Sequence, residues 1–286
     1  MKVPEITLTP RQKEIVTGHL LGDGTISLNT CGNGYLTIRR AAADIEYAVW
    51  SSRELSNLVI PSSEPDKLKI ISTFDKRTQK TYYSVAVRTK CLPVFTSLYR
   101  YWYPLGIKKV PEVTLTPLSM AVWFADDGSI SLGKGKIRTP TEGKTYTHRL
   151  IVKLATNGFT KEETTYLANQ LKTFDLKPRM YQEKNTEQYT LQLCSSIEAK
   201  KFLRLIDSDF PDGMERKADR WRNHTADLFE KLKIRPRCPY CSLPTKVYKN
   251  GHSLSGKSKY QCLTCLRQFQ KQEDYERLSR RPHEKF

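Results

Sequence analysis

The sequence is short of negative charge. Asp and Glu number 30 against 48 Lys and Arg in 286 residues, a formal net charge of +18. The basic residues run through the whole chain instead of forming one tail. That balance argues against a basic partner and for a polyanion, with nucleic acid ahead of a membrane surface. Long apolar runs are missing as well. No stretch approaches the length of a membrane span, and the N-terminus has no signal-peptide hydrophobic region. The expectation is an intracellular protein, of a bacterial cytoplasm or an organelle. Cysteine is sparse, at seven, and with no secretory signal metal binding outranks disulfides. Cys31, Cys91 and Cys194 are scattered and are expected to be buried small hydrophobes. Disorder is disfavoured, because 38% hydrophobic and 10% aromatic content can supply a core. The length suits a duplicated domain with an accessory.

Two stretches stand out. Val16–Gly24 reads VTGHLLGDG, and Met120–Gly128 reads MAVWFADDG. Thr9-Pro10 and Thr116-Pro117 open the two segments with an N-cap and a first-turn proline, and Gln12 completes a capping-box pattern. Gly24 and Gly128 are expected to end the helices. Each segment thus finishes in a carboxylate, Asp23 or Asp127, the wrong sign for a helix C-terminus by about 0.3–1 kcal/mol. Two such cases ask for a compensating cation, and a hard, oxygen-loving metal would serve. Gly18/Gly22 and Ala121/Ala125 place small residues four apart, so the two helices can approach closely.

Around them the order helix, two strands, helix, two strands, helix is expected twice. In the first half, strand Tyr35–Arg40 precedes helix Ala41–Ile60, hairpin Leu68–Phe74/Thr81–Thr89 and helix Cys91–Tyr103. In the second, a Gly- and Lys-rich loop over Lys134–Lys144 leads to strand His148–Asn157. Helix Thr160–Phe174, hairpin Pro178–Lys184/Glu187–Cys194 and helix Ser195–Ser208 follow. The fold class expected is α+β: two pseudo-symmetric αββαββα halves forming a saddle of two four-stranded antiparallel sheets. The halves span 1–110 and 111–230. Basic side chains along the strands form a candidate duplex surface: Arg39, Arg40, Lys69, Arg77, Lys80, Arg88 and Lys90 in the first half, and Arg138, Arg149, Lys153 and Lys184 in the second.

A small module is expected over 236–270, followed by a charged tail, 271–286. Cys238/Cys241 and Cys262/Cys265 form two CxxC knuckles at the spacing of a tetrahedral four-thiolate Zn2+ site. Asn250-Gly251 reads as a hairpin turn, and Lys249 and Lys257 add candidate DNA contacts. A redox role for CPYC fits less well, since that use wants a single CxxC in a βαβ context.

The segments LTPRQKEIVTGHLLGDGTIS and LTPLSMAVWFADDGSIS closely resemble the two motifs of single-chain LAGLIDADG homing endonucleases. The resemblance covers roughly residues 5–220 and includes KKVP before the second motif and TNGFTKEE after it. It implies a monomer that cuts double-stranded DNA with Mg2+. Asp23 and Asp127 would be the metal-binding catalytic acids. Gly22 and Asp126 would stand beside them in the metal site, with Asp126 also read as packing behind the ligands. Lys109 and Lys217 would assist, one per half, and Asn157 would order water. The C-terminal module resembles the zinc ribbon of some insertion-sequence transposition proteins. The alternatives are an RNA-splicing maturase of the same fold, binding intron RNA, and a catalytically inactive sequence-specific DNA-binding protein.

Overall fold

The computed structural model of the chain describes residues 7–137, 145–217, 238–240, 247–252, 258–262 and 266–270. Residues 132–137, 145–149, 247–249, 252 and 258 are placed by backbone alone. The chain divides into two compact units, Met1–Arg220 and Trp221–Phe286. No helix among the described residues is long and apolar enough to cross a membrane.

The larger unit repeats one topology. The first half runs α1 (Pro10–Leu21), β1 (Thr25–Leu28), β2 (Gly34–Ala41), α2 (Ile45–Glu54), β3 (Ile71–Asp75), β4 (Lys80–Arg88), α3 (Pro93–Trp102). The second runs α4 (Pro117–Asp127), β5 (Gly128–Ile137), β6 (Thr145–Ala155), α5 (Lys161–Lys172), β7 (Arg179–Gln182), β8 (Tyr189–Leu193), α6 (Ser196–Ile206). Each half holds one four-stranded antiparallel sheet, in the orders β1-β2-β4-β3 and β5-β6-β8-β7.

Local chemistry explains the helix starts. Thr9 and Gln12 exchange side-chain hydrogen bonds with each other's backbone N–H, and Thr116 and Ser119 do the same. Thr160 and Glu163 repeat the device at α5. Glu163 also accepts from Val110 N (2.9 Å), and Tyr166 OH donates to Val113 O (2.8 Å), which ties the segment between the halves to α5. The core runs through α1 and α4. Ile15, Leu20, Trp123 and Phe124 are fully buried, each stabilising the fold by about 1.5–3 kcal/mol. Phe124 meets Phe202 of α6 edge-on at 5.7 Å.

Several expectations change. α1 is capped by Gly22, not Gly24, so Asp23 lies just beyond the helix. The long helix expected over Ala41–Ile60 reduces to α2, preceded by a 3-10 turn at Ala42–Asp44. The expected loop at Lys134 is strand as far as Ile137, because pairing with β6 extends to Ile137↔Thr145. Cys31 and Cys91 are exposed and Cys194 is half-buried, so none packs as a core hydrophobe.

In the smaller unit, β9 (Val247–His252), β10 (Ser258–Cys262) and β11 (Gln268–Gln270) form a three-stranded antiparallel sheet, order β11-β10-β9. Asn250-Gly251 falls inside β9 and not in a turn. Gly251 adopts φ 74°, open to glycine without strain, and the register shifts between Ser258 and Tyr260 opposite. Cys238 and Cys262 are buried with Phe269, and Tyr260 packs beside them. Cys241 and Cys265, the other two expected zinc ligands, lie outside the described residues.

Candidate active site at the junction of the two halves

The two motif helices touch through missing side chains. A Cβ on Gly18 would stand 2.6 Å from Ser119 O and from Val122 Cβ. A Cβ on Gly22 would stand 2.3 Å from Asp126 Cβ. Both distances are shorter than real Cβ contacts allow, so glycine at 18 and 22 is what lets α1 and α4 meet. Asp126 fills the space left by Gly22, its counterpart in the other motif.

That packing brings Asp23 and Asp127 into one electrostatic neighbourhood. Asp23 is exposed. Asp127 is half-buried, and burial, followed by the negative charges of Asp23 and Asp126, pushes its carboxyl up to about 6. Lys108 Nζ donates to the carbonyls of Gly22 (3.0 Å) and Gly24 (2.9 Å). Lys217 Nζ donates to the carbonyls of Ala125 (2.7 Å), Asp126 (3.1 Å) and Phe124 (3.3 Å). Each ammonium thus sits on the carbonyl end of one motif helix, where the dipole favours a cation. Burial lowers Lys108 to about 8 against the attraction of the three aspartates; burial, helped by the positive charges of Arg216 and Arg40, lowers Lys217 to about 8 against the attraction of Asp126 and Asp127. The compensating cation expected from the sequence is therefore, in part, a pair of lysines.

Lys109 is displaced from its expected place. Its backbone N–H donates to Trp102 O (2.7 Å) and its side chain is exposed, so its neighbour Lys108 points inward. The sequence KKVP holds both lysines, and nothing in its pattern chooses between them. Asn157 bonds to Glu183, whose carboxyl is lowered by that contact.

Asp126 and Arg40 do something the sequence did not suggest. Asp126 is buried, and each of its carboxylate oxygens is used twice. Oδ1 accepts from Tyr47 OH (2.7 Å) and from Arg40; Oδ2 accepts from His19 Nδ1 (3.1 Å) and Asp23 N (3.2 Å). Burial alone would raise this carboxyl, but His19 and Arg40 hold it below the ordinary value. With every lone pair engaged, Asp126 has none to offer a metal. Arg40 also donates to Asp23 Oδ2. Arg40 is therefore not a duplex contact. In β2 alternate residues face opposite sides, so Leu36, Ile38 and Arg40 point inward while Tyr35, Thr37 and Arg39 point outward. His19 and Tyr47 were not singled out in the sequence; a buried polar residue inside an apolar motif helix was the available signal.

On the outward face, Thr25, Thr37 and Arg88 form one cross-strand row of the first sheet. Arg88 stacks over Tyr35 at 3.9 Å from the ring centroid. The matching row of the second sheet is Ser129, Lys153, Gln192 and Arg179. Arg179 and Tyr35 were not predicted. Lys69, Arg77, Lys80 and Lys184 are exposed. Lys90 turns aside to donate to Asn57 O (3.2 Å), and Lys153 lies 3.4 Å from Glu183. Arg138 and Lys257 lie outside the described residues, and Arg149 and Lys249 are placed by backbone only. Replacing Arg88 with Ala should weaken duplex binding about equally for all sequences and reduce the slope of log K on log salt by about 1. Fluorescence anisotropy over a salt series checks this.

The fold is similar to that of solved proteins. The solved structure "The homing endonuclease I-WcaI bound to its DNA recognition sequence" superposes with a TM-score of 0.59 at 21% identity, covering 74% of this chain and 87% of that one. The meganuclease I-SmaMI, bound to uncleavable DNA, gives a TM-score of 0.51 at 10% identity, covering 80% and 92%. Cytochrome b mRNA maturase bI2 of Debaryomyces hansenii is 26% identical over 187 residues, 64% of this chain; the chain also spans 64% of that relative's length. A family model described as LAGLIDADG DNA endonuclease family matches residues 13–202, and the chain belongs to that family.

Proposed function

We propose that the protein is a site-specific endonuclease that hydrolyses both strands of duplex DNA with Mg2+. One observation carries this reading. Two non-equivalent helices, packed through Gly18 and Gly22, bring Asp23 and Asp127 into one electrostatic neighbourhood, each beside a half-buried lysine. The donor set suits a hard divalent ion. Asp127 accepts no hydrogen bond from any described residue, and burial and its acidic neighbours already disfavour its bare charge. Among the described residues no group of three or more His, Cys, Asp or Glu forms a cage. That suits a site whose remaining ligands are water and phosphate oxygens.

Asp23 and Asp127 would hold the ion, which would supply an activated water and polarisation of the phosphoryl group. The chain's own residues do the rest. Asp23 and Asp127 hold negative charge at the junction. Lys108 and Lys217, protonated below about 8, counter charge that develops on the phosphate. Arg39, Arg88 and Arg179 fix the register of the duplex, and neighbouring polar side chains read base edges.

The ionisation of Asp127 sets a pH dependence. Its folded value is raised to about 6, so the carboxylate needed for an ion is lost as pH falls through about 6. Ion binding at pH 6 should release protons, and binding at pH 7.5 should release far fewer. Calorimetric titrations of Mg2+ in buffers of differing ionisation enthalpy measure that difference.

The reading is tested by incubating a randomised duplex library with the chain in Mg2+ or in EDTA. Recovery of one long cleaved site in Mg2+ alone supports it. No cleavage, with help to RNA splicing instead, supports the maturase reading favoured by the similarity to cytochrome b mRNA maturase.

For the C-terminal unit we propose a four-cysteine Zn2+ site. The burial of Cys238 and Cys262 in one small cluster supports it. Metal analysis of the purified chain should find one zinc, lost in a Cys238→Ser, Cys262→Ser protein. A chain free of zinc would refute it.

A further inference from the structure

The two halves share a topology but not the residue behind the aspartate. Thr25 pairs with Thr37, and its counterpart Ser129 pairs with Lys153. Three residues beyond each partner stand Arg40 and Thr156. Arg40 is buried and reaches across the junction, donating through Nη1 to Asp23 and through Nη2 to Asp126 of the other motif. Thr156 is equally buried, but its hydroxyl donates to Tyr189 O at 2.7 Å and supplies nothing to Asp127. So a guanidinium holds one aspartate, and among the described residues the other has none.

Asp126 sets how far Arg40 commits to Asp23. The guanidinium's Nε is buried without a partner among the described residues, so its two carboxylates share the work of satisfying it. His19 and Tyr47 fix Asp126 from the far side. A divalent ion reaching Asp23 meets a carboxylate already charge-balanced through Oδ2 by Arg40, a contact with no equivalent at Asp127 among the described residues.

We propose that the Arg40–Asp126 pair makes the two halves of the site unequal: Arg40 is a positioning residue on Asp23, so the Asp23 half takes its divalent ion more weakly than the Asp127 half, and the strand facing Asp23 is cut second. The proposal rests on the endonuclease reading. Losing one charge-assisted hydrogen bond corresponds to about a tenfold difference in ion affinity.

The test is calcium titrated calorimetrically into the full chain, a readout independent of cleavage. Two binding classes about tenfold apart are expected. Asp127→Asn should remove the tighter class and Asp23→Asn the weaker. Arg40→Gln should narrow the gap to within about twofold, because Asp23 is released. Asp126→Asn should widen it, because Asp23 becomes the guanidinium's only carboxylate. Both substitutions disturb the same buried cluster, so a general loss of structure would move the gap in one direction only. If Arg40→Gln does not fold, Arg40→Lys keeps the charge, cannot bridge both carboxylates, and should narrow the gap as well. A single class, no binding, loss of the tighter class in Asp23→Asn, or a gap shifted the same way by both substitutions overturns the proposal. Strand-resolved nicking in Mg2+ distinguishes unequal halves from an absence of cutting. Equal rates on both strands overturn the inequality alone, whereas ion binding without any cutting overturns the endonuclease reading.

Discussion

Replacing Asp127 with Asn should slow cutting of a selected duplex by about a thousandfold or more. The side chain keeps its shape and loses the charge that holds an ion, and metal-borne stabilisation of several kcal/mol converts to that factor. Asp23→Asn should do the same on its own strand. Asp127→Asn should cost little folding stability, because the Asp127 carboxylate accepts no hydrogen bond from a described residue, whereas Asp23→Asn removes one of the two carboxylates paired with the buried Arg40 guanidinium. Burial also makes the charged form of Asp127 unfavourable in the absence of an ion, so Asp127→Asn should leave the melting temperature equal or raised. Single-turnover rates on a labelled duplex, with thermal melts alongside, check both statements. A variant that cuts at the normal rate would remove the carboxylate from the chemistry.

The second large effect is structural. Asp126→Ala should destabilise the chain by about 3–5 kcal/mol, because it strands the buried Arg40 guanidinium and takes the partner from His19 and Tyr47. At roughly 2–4 °C per kcal/mol for a unit of this size, Tm should drop by about 6–20 °C. Differential scanning calorimetry measures it. A loss below about 1 kcal/mol would mean the network contributes as little as an exposed ion pair.

Much of this was readable before the fold was known, and the limits have physical causes. The Thr-Pro helix starts were legible because capping is local: the donor and acceptor lie three residues apart. The convergence of Asp23 and Asp127 was legible because the motif occurs twice with small residues at helical spacing. Lys108 against Lys109 was not, since the choice depends on which direction the backbone faces after Trp102 O accepts from Lys109. Arg39 against Arg40 could have been separated by strand alternation, because Leu36 and Ile38 mark the inward face. The strand through Lys134–Ile137 was hidden by its glycines, and only pairing with β6 reveals it. Asp126 was half legible. A buried acid opposite Gly22 in the paired motif suggests complementarity, but its four donors come from α1, β2, α2 and the turn at Asp23, far apart in the chain.

The family shares one fold among proteins named as DNA endonucleases and as an RNA maturase, so fold alone does not decide the chemistry. What decides it is whether the paired aspartates hold an ion over a phosphate. The most direct measurement is the anomalous difference density of Mn2+, which shares the oxygen-ligand preference of Mg2+, in crystals of the chain with its selected duplex. Peaks are expected against the carboxylates of both Asp23 and Asp127. Peaks held elsewhere, or none at either aspartate, would contradict it.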